Sequence, residues 1–450
     1  MRGSRKTDSP VIPGPKSAGR RAFLKGSAVA GAGIAAASTG LLAEVNQGRA
    51  ADGEPIPIGQ GAMLSGWAAP DGIEFDRGQK MAIEEINAWG GVLGRPLEQH
   101  VVDTKEGGPD LVIQAFRRLI DRDNVHAIMC GYNLATLEAE YDPVADAGIV
   151  YLHCNTSLAH HGWIQRDPDR YFGCFMTDPS EYWYGGGYVQ FLSALRDSGK
   201  WTPHNNKIAI VNGAQNYSIV IGNSVKENAP AYGFEINYEE TVNIPISEWG
   251  PTLAKIRNDP PGAICITHYA PADLANFMLQ FIPSPTPSLV YMQYGPSLAQ
   301  FREIGKEAVE GVLYATVIAH LHDEIGQDFV RRYTEKWGAG SSPASGVQTY
   351  DQTHLWAISA AIAGGPGEPY DGEEQNRKVA DWMRRLSYRG ICGSYRFTEN
   401  AGTHYPAQTN DPSLGLPHQF LQVQDHTQAP VLIAPEPYGV ADFVLPPWLG

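Results

Sequence analysis

Apolar runs of strand length alternate with amphipathic helical segments from residue 55 onward, and this alternation constrains the fold more than any other feature of the chain. Strands that alternate with helices of this length predict βαβ units and mostly parallel sheets. Right-handed crossovers then place helices on both faces, so we predict an α/β, doubly wound fold. The runs that predict buried strands are PIPIGQGAML, EQHVVDT, VHAIMCG, IVYLHCN, KIAIVNG, AICITHY and LVYMQYG.

The strand-length runs fall into two groups, at about residues 55–175 and 205–295, separated by RYFGCFMTDPSEYWYGGGY. A chain of 450 residues is too long for one ordinary core, so two or more domains are expected. Two doubly wound lobes with several crossings between them would account for the order. After the second group, the sequence predicts one more strand and three helices, at about residues 309–318, 324–337, 347–363 and 373–386.

The charge balance is acidic, with a formal net charge of −15. Residues 1–50 contribute +6, so the rest of the chain carries −21. Such a surface repels phosphate backbones, and we therefore expect no nucleic acid partner. The five cysteines form no CxxC motif, which disfavours a disulfide framework and a clustered zinc site, although one bridge stays possible. Most of these cysteines are expected to be small buried side chains.

The N-terminal segment GRRAFLKGSAVAGAGIAAASTGLLA has paired arginines, then Phe-Leu-Lys and a weakly apolar run rich in alanine and glycine. It resembles a cleaved twin-arginine export signal, and cleavage after Ala50 is expected. Residues 1–50 are therefore predicted to be a signal peptide. No later segment has 18 consecutive apolar residues, so the mature chain is not expected to be embedded in a membrane.

Ligands of doubly wound sheets bind beyond the carboxyl ends of the strands. The loops at those places are rich in tyrosine, serine, threonine and asparagine and contain no evident nucleophile and base. The chain has no GxSxG, P-loop or HExxH motif. The histidine pairs His160–His161 and His320/His322 would need a third group to hold a metal. We therefore predict a binding site with no catalytic residue, metal or cofactor. The loops are SGW (65–67), GYNLAT (131–136), NTS (155–157), AQNY (214–217), HYAP (268–271) and QYGP (293–296).

The stretch GAMLSGWAAPDGIEFDRGQKMAIEEINAWGGVLGRPLEQHVVDT contains an L-S-G loop, a helix ending in E-I-N-A-W-G-G, then V-L-G-R-P and a strand ending in Asp103. It resembles the start of the extracytoplasmic solute-binding proteins of branched-chain amino acid, amide and urea ABC importers. Further likeness comes from RRLIDRDNVHAIMCG, DPVADAGIVYL and KIAIVNGAQNY. The resemblance covers most of residues 55–320 and is weaker afterwards.

The resemblance implies two lobes joined by a three-crossover hinge that close on a small molecule, the type I periplasmic binding protein fold. It implies a periplasmic or extracellular protein, with a cognate ABC permease as its partner. The expected lobe boundaries are residues 54–177 plus 317–391 for the N-terminal lobe and 178–316 plus 392–450 for the C-terminal lobe. An extracytoplasmic ligand sensor of the same fold is the main alternative, and an exported enzyme is another.

The resemblance also places ligand-binding groups at strand ends. The loop after AIMCG puts Tyr132 in the family's aromatic place, with Leu134 where serine is common. After the next strand, Asn155 and Ser157 match positions that give a carbonyl and a hydroxyl. Each tyrosine could instead be a half-buried packing group. The full predicted set is Ser65, Trp67, Tyr132, Asn133, Asn155, Thr156, Ser157, Tyr217, Tyr269 and Tyr294.

One departure from the family bears on the ligand. Amino-acid binders have a glutamate near the end of the LVYMQYG strand, and this chain has Gln293 and Tyr294 there. A buried ammonium without a counter-charge is costly, which disfavours an ordinary zwitterionic amino acid. Asp71 could be a substitute anion, although an aspartate here is more often a helix N-cap. The expected solute is a small polar molecule: an amide, a urea-like compound, an aromatic acid or an amino-acid-like compound.

Overall fold

The computed structural model describes residues 51–66, 68–105, 107–133, 137–397 and 414–450, all within one unit that spans Ala50–Gly450. The predicted signal peptide, Trp67 and Leu134 lie outside the described residues. Within the described part, no helix combines the length and the hydropathy needed to cross a membrane.

Strands and helices alternate strictly through the first lobe, which we define by its five-stranded sheet. The elements are β1 (Ile56–Ala62), α1 (Ala69–Ala88), β2 (Leu97–Asp103), α2 (Pro109–Asp121), β3 (Ala127–Met129), α3 (Leu137–Ala147), β4 (Val150–His153), α4 (Leu158–Ile164) and β5 (Cys174–Met176). The strand order is β2-β1-β3-β4-β5, and every pair is parallel. All carboxyl ends therefore meet at one edge of this sheet.

The second lobe repeats the pattern and adds two strands from the end of the chain. Its elements are α5 (Tyr182–Asp197), β6 (Lys207–Gly213), α6 (Asn216–Asn228), β7 (Glu235–Val242), α7 (Gly250–Asn258), β8 (Ala263–Ile266), α8 (Pro271–Phe281), β9 (Leu289–Met292), α9 (Ala299–Gly305) and β10 (Leu313–Thr316). The chain continues through α10 (Glu324–Trp337), α11 (Pro343–Ala363), α12 (Glu373–Arg385), β11 (Tyr388–Arg389), β12 (Ser394–Tyr395), β13 (Gln419–Gln422) and β14 (Val431–Ala434). The second sheet has the order β14-β13-β10-β9-β8-β6-β7, in which β13 and β14 are antiparallel.

Alternate residues of the central strands pack on opposite faces of each sheet. In β3, Ala127 and Met129 belong to one apolar cluster and Ile128 to another. In β6, Ile208 and the next residue, Ala209, likewise belong to two different apolar clusters. Burial on both faces explains why these strands are continuous apolar runs. The predicted α/β, doubly wound fold class is confirmed.

Within the predicted groups at about residues 55–175 and 205–295, two strands were not predicted from the sequence. β7 has the sequence EINYEETV and lies at the edge of the second sheet, where most of its side chains are partly exposed. β5 has only three residues. Neither has the long apolar run that identified the other strands.

The end of the chain contributes to both lobes. Helices α10, α11 and α12 add Phe329, Trp356 and Met383 to one cluster on the first sheet, and Leu416 packs in the same cluster. The predicted lobe boundaries remain a proposal, and this packing favours a final boundary after Leu416 instead of one at residue 392.

Helices α1 and α11 approach so closely that glycine is required at the contact. A Cβ on Gly78 of α1 would lie 1.8 Å from the carbonyl oxygen of Gly346 in α11. A Cβ on Gly346 would lie 2.2 Å from the hydroxyl oxygen of Tyr333. Side chains at these positions would push the helices apart, so the pair packs backbone to backbone.

Candidate functional site

A cavity of about 160 Å³ lies where the carboxyl ends of the two sheets meet. The first lobe contributes the residues that follow β3 and β4, and the second lobe those that follow β6, β8, β9 and β10. Its wall consists of Tyr132, Asn133, Cys154, Asn155, Thr156, Tyr184, Gln215, Tyr217, Tyr269, Tyr294 and Ile318. Both lobes therefore build the site, as expected at the carboxyl ends of parallel strands.

Seven of the ten residues predicted from the sequence lie on this wall: Tyr132, Asn133, Asn155, Thr156, Tyr217, Tyr269 and Tyr294. Two others lie off it. Ser65 donates its hydroxyl hydrogen to Asp103 (2.8 Å), and Ser157 is the N-cap residue of α4, with its backbone N–H on the sulfur of Met176 (3.2 Å). Trp67 lies outside the described residues.

Four wall residues were not in the predicted set: Cys154, Tyr184, Gln215 and Ile318. Gln215 is in the AQNY loop and Cys154 directly precedes Asn155, so their positions at strand ends could have identified both as wall residues. Tyr184 lies in α5, where a strand-end rule gives no signal. Ile318 follows β10, but the predicted strand at 309–318 extends past the observed end of β10 at Thr316.

The tyrosine side chains of the wall bond mainly to the protein itself. Tyr217 accepts a hydrogen from the Nε2 of Gln293 (2.9 Å), and Gln293 in turn accepts one from Tyr291 (2.6 Å). Tyr269 donates to the Oε1 of Gln215. Gln293, which occupies the glutamate place of the amino-acid binders, is thus fully buried between two tyrosines and is not a wall residue.

Asp71 connects the lobes from behind the wall. Its Oδ2 accepts hydrogens from Tyr132 of the first lobe (2.7 Å) and Tyr294 of the second (2.5 Å). Its Oδ1 accepts one from Ser345 at the start of α11 (2.9 Å). The N-cap of α1 is Ala68, so the N-cap interpretation of Asp71 is wrong. The alternative of an anion facing the ligand also does not hold in this form, because Asp71 is 4% exposed and does not line the cavity.

Two wall residues have a left-handed backbone that is unusual for residues with side chains. Thr156 has φ 52° and Tyr294 has φ 57°. Such conformations cost on the order of 1–3 kcal/mol each and concentrate at functional sites. They turn the two side chains toward Asp178 and Asp71, respectively.

Three more buried carboxyl groups lie behind the first-lobe wall. Glu140 accepts hydrogens from Asn155 (2.5 Å) and Tyr151 (2.9 Å). Asp178 accepts the hydroxyl hydrogen of Thr156, and Glu181 accepts the backbone N–H of Leu158 (2.5 Å). Burial raises the pKa of Glu140 and Glu181 to about 8 and that of Asp178 to about 7.

Asn133, a wall residue, has a buried side-chain donor without a partner in the described part of the chain. Its backbone N–H bonds to the Oδ1 of Asn155 (2.9 Å), but its side-chain Nδ2 has no hydrogen-bond partner among the described residues. The residue is 7% exposed. A buried amide donor without a partner is costly, so an acceptor that reached this group would be bound favourably.

Side chains that could together bind a metal ion lie away from the cavity. In the described part of the chain, one set of possible ligands is close enough together, namely Glu310, Asp425 and His426. It includes neither of the predicted histidine pairs, and none of its members lines the cavity. All five cysteines are described, and each is buried with a free thiol.

Two lobes that enclose a small cavity lined by hydrogen-bonding and aromatic side chains define a solute-binding protein. The sequence profile of the periplasmic binding proteins matches residues 55–409. The chain belongs to this family, whose members bind solutes and are not enzymes.

Three solved structures illustrate the relationship. A protein from Silicibacter pomeroyi, assigned to a branched-chain amino acid ABC transporter, is 51% identical, with a TM-score of 0.84 over 88% of this chain and 100% of that one. A leucine-binding protein from Thermotoga maritima is 19% identical, with a TM-score of 0.64 over 85% and 98%. A branched-chain amino acid transporter protein from Streptococcus pneumoniae in complex with isoleucine is 17% identical, with a TM-score of 0.64 over 85% and 100%. The last two share the fold alone. No curated protein matches the chain.

Proposed function

We propose that this chain is the exported solute-binding component of an ABC importer, which captures one small molecule between its lobes and delivers it to a membrane permease. The observation that carries the proposal is the cavity at the meeting edges of the two sheets, with wall residues from both. The similar Silicibacter pomeroyi protein supports the assignment to an ABC transporter. The twin-arginine segment of the sequence supports export.

Capture follows from the division of the wall between the lobes. A solute that enters an open cleft contacts the wall residues of one lobe, and closure brings the wall residues of the other lobe into contact with it. Closure also removes water, so each hydrogen bond and each charge near the solute counts for more than it would in solvent. Selectivity then depends on the shape of the cavity and on pairing of polar groups.

The volume of the cavity supports a small solute. A cavity of about 150 Å³ accepts a molecule the size of benzene, and this one measures about 160 Å³. Peptides and oligosaccharides are therefore too large for it.

The electrostatics of the cavity support a solute without a carboxylate. None of the wall residues is lysine, arginine or histidine. A carboxylate there would lie near Asp71, Glu140 and Asp178 without a cation to balance it, which is unfavourable in a buried site. Aromatic acids and leucine-like amino acids therefore fit poorly. The solute classes that remain compatible with the cavity are neutral amides, urea-like molecules and cations.

A thermal-shift screen of the purified protein tests the proposal. The compounds are amino acids, aliphatic amides, ureas, aromatic acids and alkylammonium ions, and each hit is followed by calorimetry. We expect one compound to bind with a stoichiometry of one and without turnover, and leucine and valine to give little shift. Tight binding of leucine would overturn the argument on the ligand. Failure of every class to bind, or conversion of a bound compound to product, would overturn the solute-binding proposal.

A further inference from the structure

The carboxyl groups around the cavity are not paired with protein cations. Asp71, Glu140, Asp178 and Glu181 are between 0% and 4% exposed, and none of the four forms an ion pair among the described residues. Buried acids in folded proteins are normally paired or hold a metal. For Glu140, Asp178 and Glu181, burial instead raises the pKa and favours the protonated form. A positive charge in the cavity would supply the missing partner.

The hydroxyl groups of four wall tyrosines already interact with other groups of the protein, which leaves their rings to meet a solute. The hydroxyls of Tyr132 and Tyr294 donate to Asp71, that of Tyr269 donates to Gln215, and that of Tyr184 interacts with Thr316. Donation to a carboxylate also makes a phenol ring more electron-rich, which strengthens attraction of a cation to its face.

The rings stand at large angles to one another around the cavity. Tyr132 and Tyr294 have an interplanar angle of 88° with centroids 6.4 Å apart. Tyr217 and Tyr269 have an angle of 85° with centroids 5.8 Å apart. Both pairs have the ordinary T-shaped geometry of neighbouring aromatic rings, and all four rings line the same cavity. Aromatic rings around one space are the arrangement by which proteins recognise methylated ammonium groups.

We propose that the solute is a methylated ammonium ion that also carries a hydroxyl or carbonyl oxygen. This inference rests on the proposed solute-binding function and narrows it to one class of ligand. Methylation matters because an ion rich in N–H donors, such as guanidinium, would need acceptors on the wall. The nearest carboxyl groups are instead already bonded to Asn155, Thr156 and the tyrosines. Methyl groups need ring surface alone.

The oxygen of the solute has two donors available. The Nδ2 of Asn133 lacks a partner among the described residues. Tyr217 accepts a hydrogen from Gln293 and keeps its own hydroxyl hydrogen for another acceptor. One donor comes from each lobe, so a solute bonded to both would favour the closed form.

Calorimetry with a matched pair of probes tests the charge directly on the unmodified protein. Choline and 3,3-dimethylbutan-1-ol have nearly the same shape and hydroxyl group, but only choline is charged. We expect choline to bind at least tenfold more tightly than the neutral alcohol, and tetramethylammonium to bind more tightly than guanidinium. Release of protons on choline binding, seen as a dependence of the binding heat on the buffer, is also expected.

Equal or tighter binding of the neutral alcohol would overturn the cation inference, and so would an amide or urea that binds while all ammonium ions fail. Both results leave the solute-binding function intact. If no compound in the thermal-shift screen binds, both proposals fail together. Glycine betaine adds a carboxylate to the methylated ammonium group, and its binding more tightly than choline would contradict the argument that the buried acids exclude anions.

Discussion

On the first-lobe wall of the cavity, Asn155 and Thr156 donate hydrogens to buried carboxyl groups, whereas on the second-lobe wall Tyr217 and Tyr269 bond to neutral glutamine side chains. The two walls therefore differ in what lies behind them. Acids behind the first wall set the electrostatic preference of the site. The large rings of the second wall set its shape; Tyr217 and Tyr269 have neutral partners, and Tyr294, which donates to Asp71, is the exception. The first lobe should decide the charge of the solute, and the second should decide how well it fits.

The largest effect is expected from loss of a ring on the second wall. Tyr217→Ala removes an aromatic side chain from the cavity, which should weaken binding of the best solute about 100-fold, equivalent to about 2.7 kcal/mol. Because the ring supplies both contact area and attraction to a cation, choline should lose at least as large a factor as its neutral analogue. Calorimetry measures both. Tyr370→Ala is the control, since Tyr370 is 50% exposed and does not line the cavity. Unchanged affinity in a folded Tyr217→Ala protein would remove Tyr217 from the site.

The second-largest effect concerns the pH dependence of the stability of the protein, through Glu140 behind the first wall. Burial raises the pKa of Glu140 from 4.5 to about 8. The folded protein thus holds a proton that the unfolded chain loses above pH 4.5, so stability falls as the pH rises from about 4.5 to 8. Glu140→Gln mimics the protonated form and keeps an acceptor for Tyr151 and Asn155. It should stabilise the protein by about 2 kcal/mol at pH 8 and hardly at pH 4. Urea unfolding at both pH values measures this.

A stabilisation by Glu140→Gln that is the same at pH 4 and pH 8 would contradict this account, because a pH-independent gain cannot come from a carboxyl that titrates between those values. Glu98→Gln serves as the control, since Glu98 is exposed on β2. That variant should change stability little at either pH.

A smaller effect should separate charge from fit. Asp178→Asn removes a carboxyl group but retains an acceptor for the hydroxyl of Thr156. We expect choline to bind about tenfold more weakly, or about 1.4 kcal/mol, and 3,3-dimethylbutan-1-ol to bind as before. Calorimetry at pH 8, above the pKa of about 7 of Asp178, gives the largest difference. An equal loss for both probes would mean that the first wall acts on fit and not on charge.

The smallest effect is expected from a hydroxyl group on the second wall. Tyr269→Phe keeps the ring and removes the hydrogen bond to Gln215. Affinity should change less than about threefold, below about 0.7 kcal/mol. A tenfold loss would show that the second wall acts through hydroxyl groups, and the description of this wall as ring surface would then be wrong.

The sequence predicted the scaffold well, because strands buried on both faces are continuous apolar runs and carboxyl ends meet at one edge of a parallel sheet. That rule also located Tyr132, Thr156 and Tyr217. It could not find Tyr184, which lies in α5, or Ile318, because the predicted strand at 309–318 extends past the end of β10 at Thr316. The partners behind the wall, such as Glu140, were also out of reach, because they come from helices whose orientation becomes known only in three dimensions.

Asp71 has a consequence for how long a solute stays bound. Two of its hydroxyl partners, Tyr132 and Ser345, remain on the first-lobe side, and the backbone contact between α1 and α11 fixes the spacing of Asp71 and Ser345. Only Tyr294 arrives from the second lobe. Separation of the lobes therefore breaks one of the three hydrogen bonds to Asp71, and its carboxyl group keeps the other two. The barrier to opening stays modest on this account, so the lifetime of the complex is set mainly by the solute itself.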